Sequence, residues 1–429
     1  MTTLRFCSFC LLFLFFIATA GGAEMGELLT LDKAVEQALT HHQAIQAAKA
    51  RVTGTEGLRL QAGFRPNPEL FLQTENWRFT GDPGFQIGQD LDAFAYVSQP
   101  LETGGKRALR VAAAQQDLKI AELEKQAIEW RIRQDVRQAF LRALLIQKQL
   151  AILRESGTFF QQVVDYHRVR VEQGATAEAD LIKVQLEQER LGLAVESAQA
   201  DAEKARLDLL RMMGVTDLQT NFQLAELPPL SGQGPPLDLK ALLDLAHANR
   251  LEILIGDAQI ERADSQVLSE KAHAKPDWNL LFGYKRSSGY DTILAGVTVP
   301  LTLFNRNQGN ILHSGAEADR FRFLLRATVA QVGAEINSAL VGIRRRAAML
   351  REMEKGLVAR AEQSWRISLA AYQEGGTDLL RLLDAQRVRN EVQLIFMRTQ
   401  MDYRLSLAEL ENAVGQENLT LAEDLLRVQ

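Results

Sequence analysis

Two kinds of hydrophobic spacing alternate along the chain. Trp278, Leu280, Phe282 and Tyr284 alternate with Asn279, Leu281, Gly283 and Lys285, and Ile293, Ala295, Val297 and Val299 alternate with Thr292, Leu294, Gly296 and Thr298. A period of two predicts a pair of β-strands with one apolar, aromatic-tipped face. From Leu181 the spacing changes to steps of three and four, through Val184, Gln188, Leu191, Val195, Ala198, Ala202, Ala205, Leu209 and Met212. That is a heptad seam thin in bulk, which predicts a long helix whose neighbours approach closely. A weaker seam runs through Leu382, Ala385, Val392, Phe396, Tyr403, Leu410 and Ala413, interrupted by Arg389.

These patterns belong to two related halves. Gly174 corresponds to Gly375, Leu181 to Leu382, Gln185 to Gln386 and Gly214 to Gly415, always 201 residues apart. Pro66 and Pro276 are 210 apart, and Pro100 and Pro300 are 200 apart. A longer segment in the first half, holding the turn-forming Gly81-Asp82-Pro83-Gly84, accounts for that drift. Each half predicts a short helix, Leu31–Leu39 capped by Thr30 or Leu237–Ala246. A second helix follows, about 41–64 or 250–274, and stops before a proline. Then comes a strand pair, within about 69–98 (Leu70–Phe79 and Phe85–Val97) or 277–300. Last is a helical hairpin, about 104–214 or 309–414, bent at Gly174 or at Gly375 and Gly376. The expected division is a leader at 1–23, a first unit at 24–220, a proline-rich linker at 221–237, a second unit at 238–415 and a tail at 416–429.

Lengths decide how these parts pack. The first long arm, Gly104–Glu172, would span roughly 100 Å of helix. Its returning arm, Ala177–Met213, and the helix before the strands together nearly match it. One full-length helix therefore lies beside two shorter ones stacked end to end, with strands at one end of a rod and glycine turns at the other. The fold class is mainly α with a small β part. Four strands cannot close a barrel, since about eight are needed, and open edges are not tolerated in hydrocarbon. Three chains would supply twelve strands. A soluble periplasmic coiled-coil scaffold carrying a small sheet is the alternative that the pattern leaves open.

Composition narrows the partners. The chain has 429 residues, with 49 Lys and Arg against 54 Asp and Glu, so no basic excess exists to neutralise phosphates and nucleic acid is not an expected partner. Met1–Ala23 carries one cation, Arg5, then an apolar run from Leu11 to Ile17 and small residues, the layout of a signal peptide cleaved after Ala20 or Ala23. Cys7 and Cys10 lie inside it. The mature chain would lack a thiol, which excludes a disulfide, a Cys-ligated metal and lipidation at an N-terminal Cys. Beyond Ala23 no stretch is apolar enough to span a bilayer as a helix. Hydrolase, metalloprotease and phosphate-loop motifs are missing, and adjacent His41 and His42 point apart on a helix, so no catalytic residue, cofactor or metal site is expected.

Four short stretches at repeat-consistent positions carry a family resemblance: Arg65-Pro66-Asn67-Pro68-Glu69-Leu70 with Glu75-Asn76, Gln99-Pro100-Leu101-Glu102-Thr103-Gly104-Gly105-Lys106-Arg107, Val299-Pro300-Leu301, and Leu303-Phe304-Asn305-Arg306-Asn307-Gln308-Gly309-Asn310. Over its mature length the chain resembles the TolC-type outer-membrane factors, nearest to the branch serving cobalt-zinc-cadmium efflux systems of the RND class. The resemblance implies a homotrimer in the outer membrane of a Gram-negative bacterium, with a twelve-stranded barrel continuous with a periplasmic helical tunnel. It implies docking on a periplasmic adaptor and an inner-membrane RND transporter, with heavy-metal cations as cargo; drugs or secreted polypeptides stay open as alternatives. The entrance would lie at the hairpin tips. Tyr372 and Asp180 match positions that hold neighbouring arms together, and Asp384 matches one of two acidic positions at the narrowest point. Arg381 replaces the other acid and Thr377 replaces a basic tip residue, two departures from the family pattern. Trp278, Leu280, Phe282, Tyr284, Ile293 and Val297 would face outer-membrane lipid.

Overall fold

The computed structural model describes residues 27–228, 238–417 and 419. The expected leader, most of the expected linker and most of the tail lie outside the described residues. A short strand β1 (Glu27–Leu29) precedes α1 (Leu31–His41), whose cap Thr30 accepts from the Lys33 amide, and α2 (Gln43–Ala62). The first hairpin comprises β2 (Glu69–Glu75) and β3 (Asp92–Leu101), with a single helical turn α3 (Ile87–Asp90) between them. Here two expected boundaries are corrected. The first strand stops at Glu75 rather than Phe79, because Asn76 turns at φ 64° and donates to the Asp92 carboxylate at 2.7 Å. The second starts at Asp92 rather than Phe85, because Asp90 accepts the Gln86 amide and closes α3.

The long arm α4 (Lys106–Glu172) returns through α5 (Glu178–Met212), and β4 (Phe222–Leu224) pairs in parallel with β1. Residues 222–224, expected as linker, are thus part of a two-stranded clasp. The second unit repeats the order: α6 (Leu239–Asn249), α7 (Leu251–His273), β5 (Trp278–Ser287), β6 (Tyr290–Thr298), α8 (Gln308–Glu352), a π-helical turn (Met353–Leu357), α9 (Val358–Gln373) and α10 (Leu379–Val414). α4 lies beside α2 and α7 toward the sheet, and beside α5 and α10 toward the far end. The expected stacking of short helices against a long one is therefore present. Val184 and Leu209 of the first seam are buried, while Leu181, Leu191 and Ala205 pack at its edges.

All four repeat-related glycines are helix ends. Gly174, Gly214, Gly375 and Gly415 have φ between 69° and 78°, a region that only glycine enters freely. Each donates back to the helix it terminates, and the next residue closes a wider loop, five residues back: Ala175 to Arg170, Val215 to Leu210, Gly376 to Ala371, Gln416 to Glu411. The π-helical turn explains a smaller irregularity. The offset between halves is 200 at Pro100 and Pro300 but 201 at Gly174 and Gly375, so the second long arm contains one extra residue. A π-turn is how a helix absorbs one, and Gly356 inside it takes φ 154°.

β2, β3, β5 and β6 form one antiparallel sheet in that order, leaving β2 and β6 as edges. Leu70 faces Val97, Val97 faces Phe282, and Leu280 faces Val297, so these side chains share one side. That side is bare: Phe282 is 66% exposed and Ile293 77%. The opposite side is mixed. Phe71 and Tyr96 stack at 5.0 Å, Lys285 sits over Phe94, and Gly283 lies against Tyr96 where a Cβ would come within 2.3 Å of backbone.

Candidate functional site at the hairpin tips

At the end of the rod away from the sheet, the two helical hairpins meet around a small core of Phe160, Val163, Val164, Val184, Tyr372, Leu379 and Leu382. α4 and α9 are joined there by side chains distant in sequence. The Tyr372 hydroxyl and His167 Nε2 share a hydrogen bond of 2.5 Å, with the rings stacked at 6.0 Å. His167 is only 2% exposed, and its Nδ1 has no hydrogen-bond partner among the described residues. Burial pushes the His167 pKa down, a charge there being costly without compensation, and burial likewise pushes the Tyr372 phenol up. Both shifts favour the uncharged form of this buried pair.

Asp180 opens the first turn of α5 and pairs with Lys183 at 3.6 Å. Its charge acts on both His167 and Tyr372 without a direct bond. Thr377 lies in the turn before α10, half-buried, and Asp378 caps that helix by accepting the Arg381 amide at 3.0 Å. The Arg381 side chain is exposed. Gly174 has open space around its missing Cβ; Gly376 has an ordinary φ and sits against the Ala371 carbonyl. Asp384 is exposed and held by Arg387 at 2.6 Å, one helical turn on. It borders a groove of about 690 Å³ between α5 and α10, with Arg190, Glu187 and Glu391 on the rim.

A second joint lies further from the tip. Arg389 interrupts the apolar seam of α10, and the structure supplies the reason. Its guanidinium bonds Glu362 of α9 at 2.6 Å and Glu155 of α4 at 3.0 Å, and stacks on Trp365 at 4.3 Å. Trp365 in turn meets Phe159 edge-on. A charge at a seam position signals this joint in the sequence; nothing local signals His167, whose partner is 205 residues away.

Among the described residues no group of three or more His, Cys, Asp or Glu is arranged to hold a metal, and no helix is long and apolar enough to cross a membrane. The model of the family described as outer membrane efflux protein matches residues 34–215 and 242–416. The chain belongs to the outer membrane efflux protein family. As a member it is an outer-membrane channel component and not an enzyme. The cobalt-zinc-cadmium resistance protein CzcC of Cupriavidus metallidurans is 25% identical over 371 residues, 86% of each chain. The pyoverdine export outer membrane protein OpmQ of Pseudomonas putida is 24% identical, covering 90% of this chain and 84% of that one. The crystal structure of the outer membrane protein VceC of Vibrio cholerae shares the fold, with a TM-score of 0.73 over 90% of this chain and 96% of VceC at 20% identity.

Proposed function

We propose that three copies of this efflux protein pool their sheets into one twelve-stranded outer-membrane barrel, and that their helical hairpins continue it as a periplasmic tunnel. The observation that carries this reading is the open four-stranded sheet, with two unpaired edges and one bare apolar face. Unpaired backbone is too costly in hydrocarbon, so the edges must pair with other copies. Trp278, Leu280, Phe282, Tyr284, Ile293 and Val297 then face lipid. The N-terminal leader directs export and is removed after Ala20 or Ala23, and the chain that remains, without Cys7 and Cys10, offers no thiol for lipidation.

The duct is passive. It works with a periplasmic adaptor and an inner-membrane transporter that supply the energy, and its cargo is heavy-metal cations. Similarity to the cobalt-zinc-cadmium resistance protein supports that cargo; similarity to the pyoverdine export protein supports pyoverdine as the cargo of a second reading. The entrance is set by Asp180, Tyr372, Thr377, Arg381 and Asp384 on turns made by Gly174, Gly375 and Gly376. Two measurements test this. Phe282→Arg should abolish assembly in the outer membrane, where a charge on a lipid-facing strand costs about 2–4 kcal/mol; normal assembly would reject the barrel. Deleting the gene should lower tolerance to zinc, cobalt or cadmium; unchanged metal tolerance with impaired pyoverdine release would favour the second reading.

A further inference from the structure

We propose that the α8–α9 edge of one chain seats against the α5 edge of a second copy, with Arg344 and Arg351 facing Glu196 and Glu189. This rests on the trimer reading and adds its register. The argument starts from an interface already made once inside the chain. α8 repeats the burial of α4 at an offset of 200: Val136 and Ile336, Phe140 and Leu340, Leu150 and Leu350 are all buried. Among the places where the match fails, two lie on the face of α4 that meets α10. Leu141 and Leu144 are buried on α4, in the cluster that includes Met401 of α10, whereas their counterparts Val341 and Arg344 are exposed.

The complementary failure is on α5, which repeats α10 at an offset of 201. Met397 and Met401 are buried, but their counterparts Glu196 and Ala200 are exposed. The same stripe of α5 also leaves Leu186 and Leu193 bare, the latter 74% exposed. Two uncovered stripes on opposite edges thus correspond to the two sides of the internal α4–α10 contact. A second copy covers both.

Register follows from the same offsets. Inside the chain Trp130 donates to Asn412 at 2.8 Å and Arg389 reaches Glu155 at 3.0 Å. Carried across, these contacts bring Ala330 to Arg211 of the second copy and the π-helical turn to its Gln188. Between those points Arg344 and Arg351 fall level with its Glu196 and Glu189. None of the four makes an ion pair among the described residues, and opposite signs meet, as a specific seam requires. The strands agree. Leu70 opposite Val97 and Leu280 opposite Val297 validate the offsets of 210 and 200. They carry the internal pair Val97–Phe282 to Val297 opposite Leu72 of the second copy, apolar with apolar.

The test uses the full chain extracted from membranes, in which the mature sequence supplies no competing thiol. Arg344→Cys with Glu196→Cys, both at exposed positions, should give a covalent trimer with a short bis-maleimide, and neither single variant should. Glu196→Arg should lower the temperature at which the detergent-solubilised trimer dissociates, and adding Arg344→Glu should restore it. If native mass spectrometry finds wild-type trimers but the double-cysteine variant yields no covalent oligomer, this seam is wrong and the trimer reading stands. If the wild type is monomeric, the trimer reading falls and takes the seam with it.

Discussion

Gly174 and Gly214 have nearly the same backbone, φ 69° and 72°, yet they are not equally replaceable. Nothing lies near the missing Cβ of Gly174, whereas at Gly214 it would stand 3.0 Å from the His42 ring and 3.1 Å from its Cα. Gly174→Ala should cost about 1–2 kcal/mol, the ordinary penalty of a left-handed residue. Gly214→Ala should cost roughly 2–4 kcal/mol, since overpacking is added; thermal unfolding followed by circular dichroism compares the two. The His167–Tyr372 pair makes a second prediction. The His167 pKa in the fold lies below its ordinary value, so as pH falls through about 6.5 the unfolded chain takes up a proton that the folded chain resists. The contact therefore contributes fully above that pH and is lost as pH drops toward the folded value. The unfolding midpoint of the wild type should fall as pH is lowered from neutral through the ordinary histidine range, and His167→Gln should flatten that dependence. Arg389→Met should destabilise by about 2 kcal/mol, less than for a fully buried ion pair because Glu155 is exposed to water.

Legibility at the level of elements followed the regularity of the local pattern. The second β-hairpin was plain in the sequence because Trp278 to Tyr284 alternate without interruption. The first was blurred: Phe79 and Phe85 suggest continuing strands, but Asn76 and Asp90 fold the intervening chain by bonds to Asp92 and Gln86. β1 and β4 are three residues each, too short for any period. The tip residues are proposed through family resemblance alone, since an exposed acid such as Asp384 looks like any solvated helix residue. The π-helical turn left a trace, the change of offset from 200 to 201, without any change in polarity to mark it. Deleting Gly356 should remove the extra residue and leave a continuous α-helix. Amide exchange across Arg351–Arg360 should slow; unchanged exchange would mean that the turn is not a weak point.

For the molecule as a whole, the charge at the entrance is the quantity to measure. Asp384 is bound to Arg387, so three copies would present three ion pairs rather than three bare carboxylates. Asp384→Ala would release Arg387 and should weaken cation preference in planar-bilayer recordings; unaltered selectivity would remove Asp384 from the conduction path. The two hairpins differ in one mechanical respect. Between its caps α4 is an unbroken helix of 67 residues, while its counterpart is interrupted at Met353–Leu357. In a closed ring of three chains, stiff staves and jointed staves would then alternate. Any widening of the mouth would bend every other stave and leave three fixed posts, so its symmetry would be threefold even though the wall is built from six similar parts.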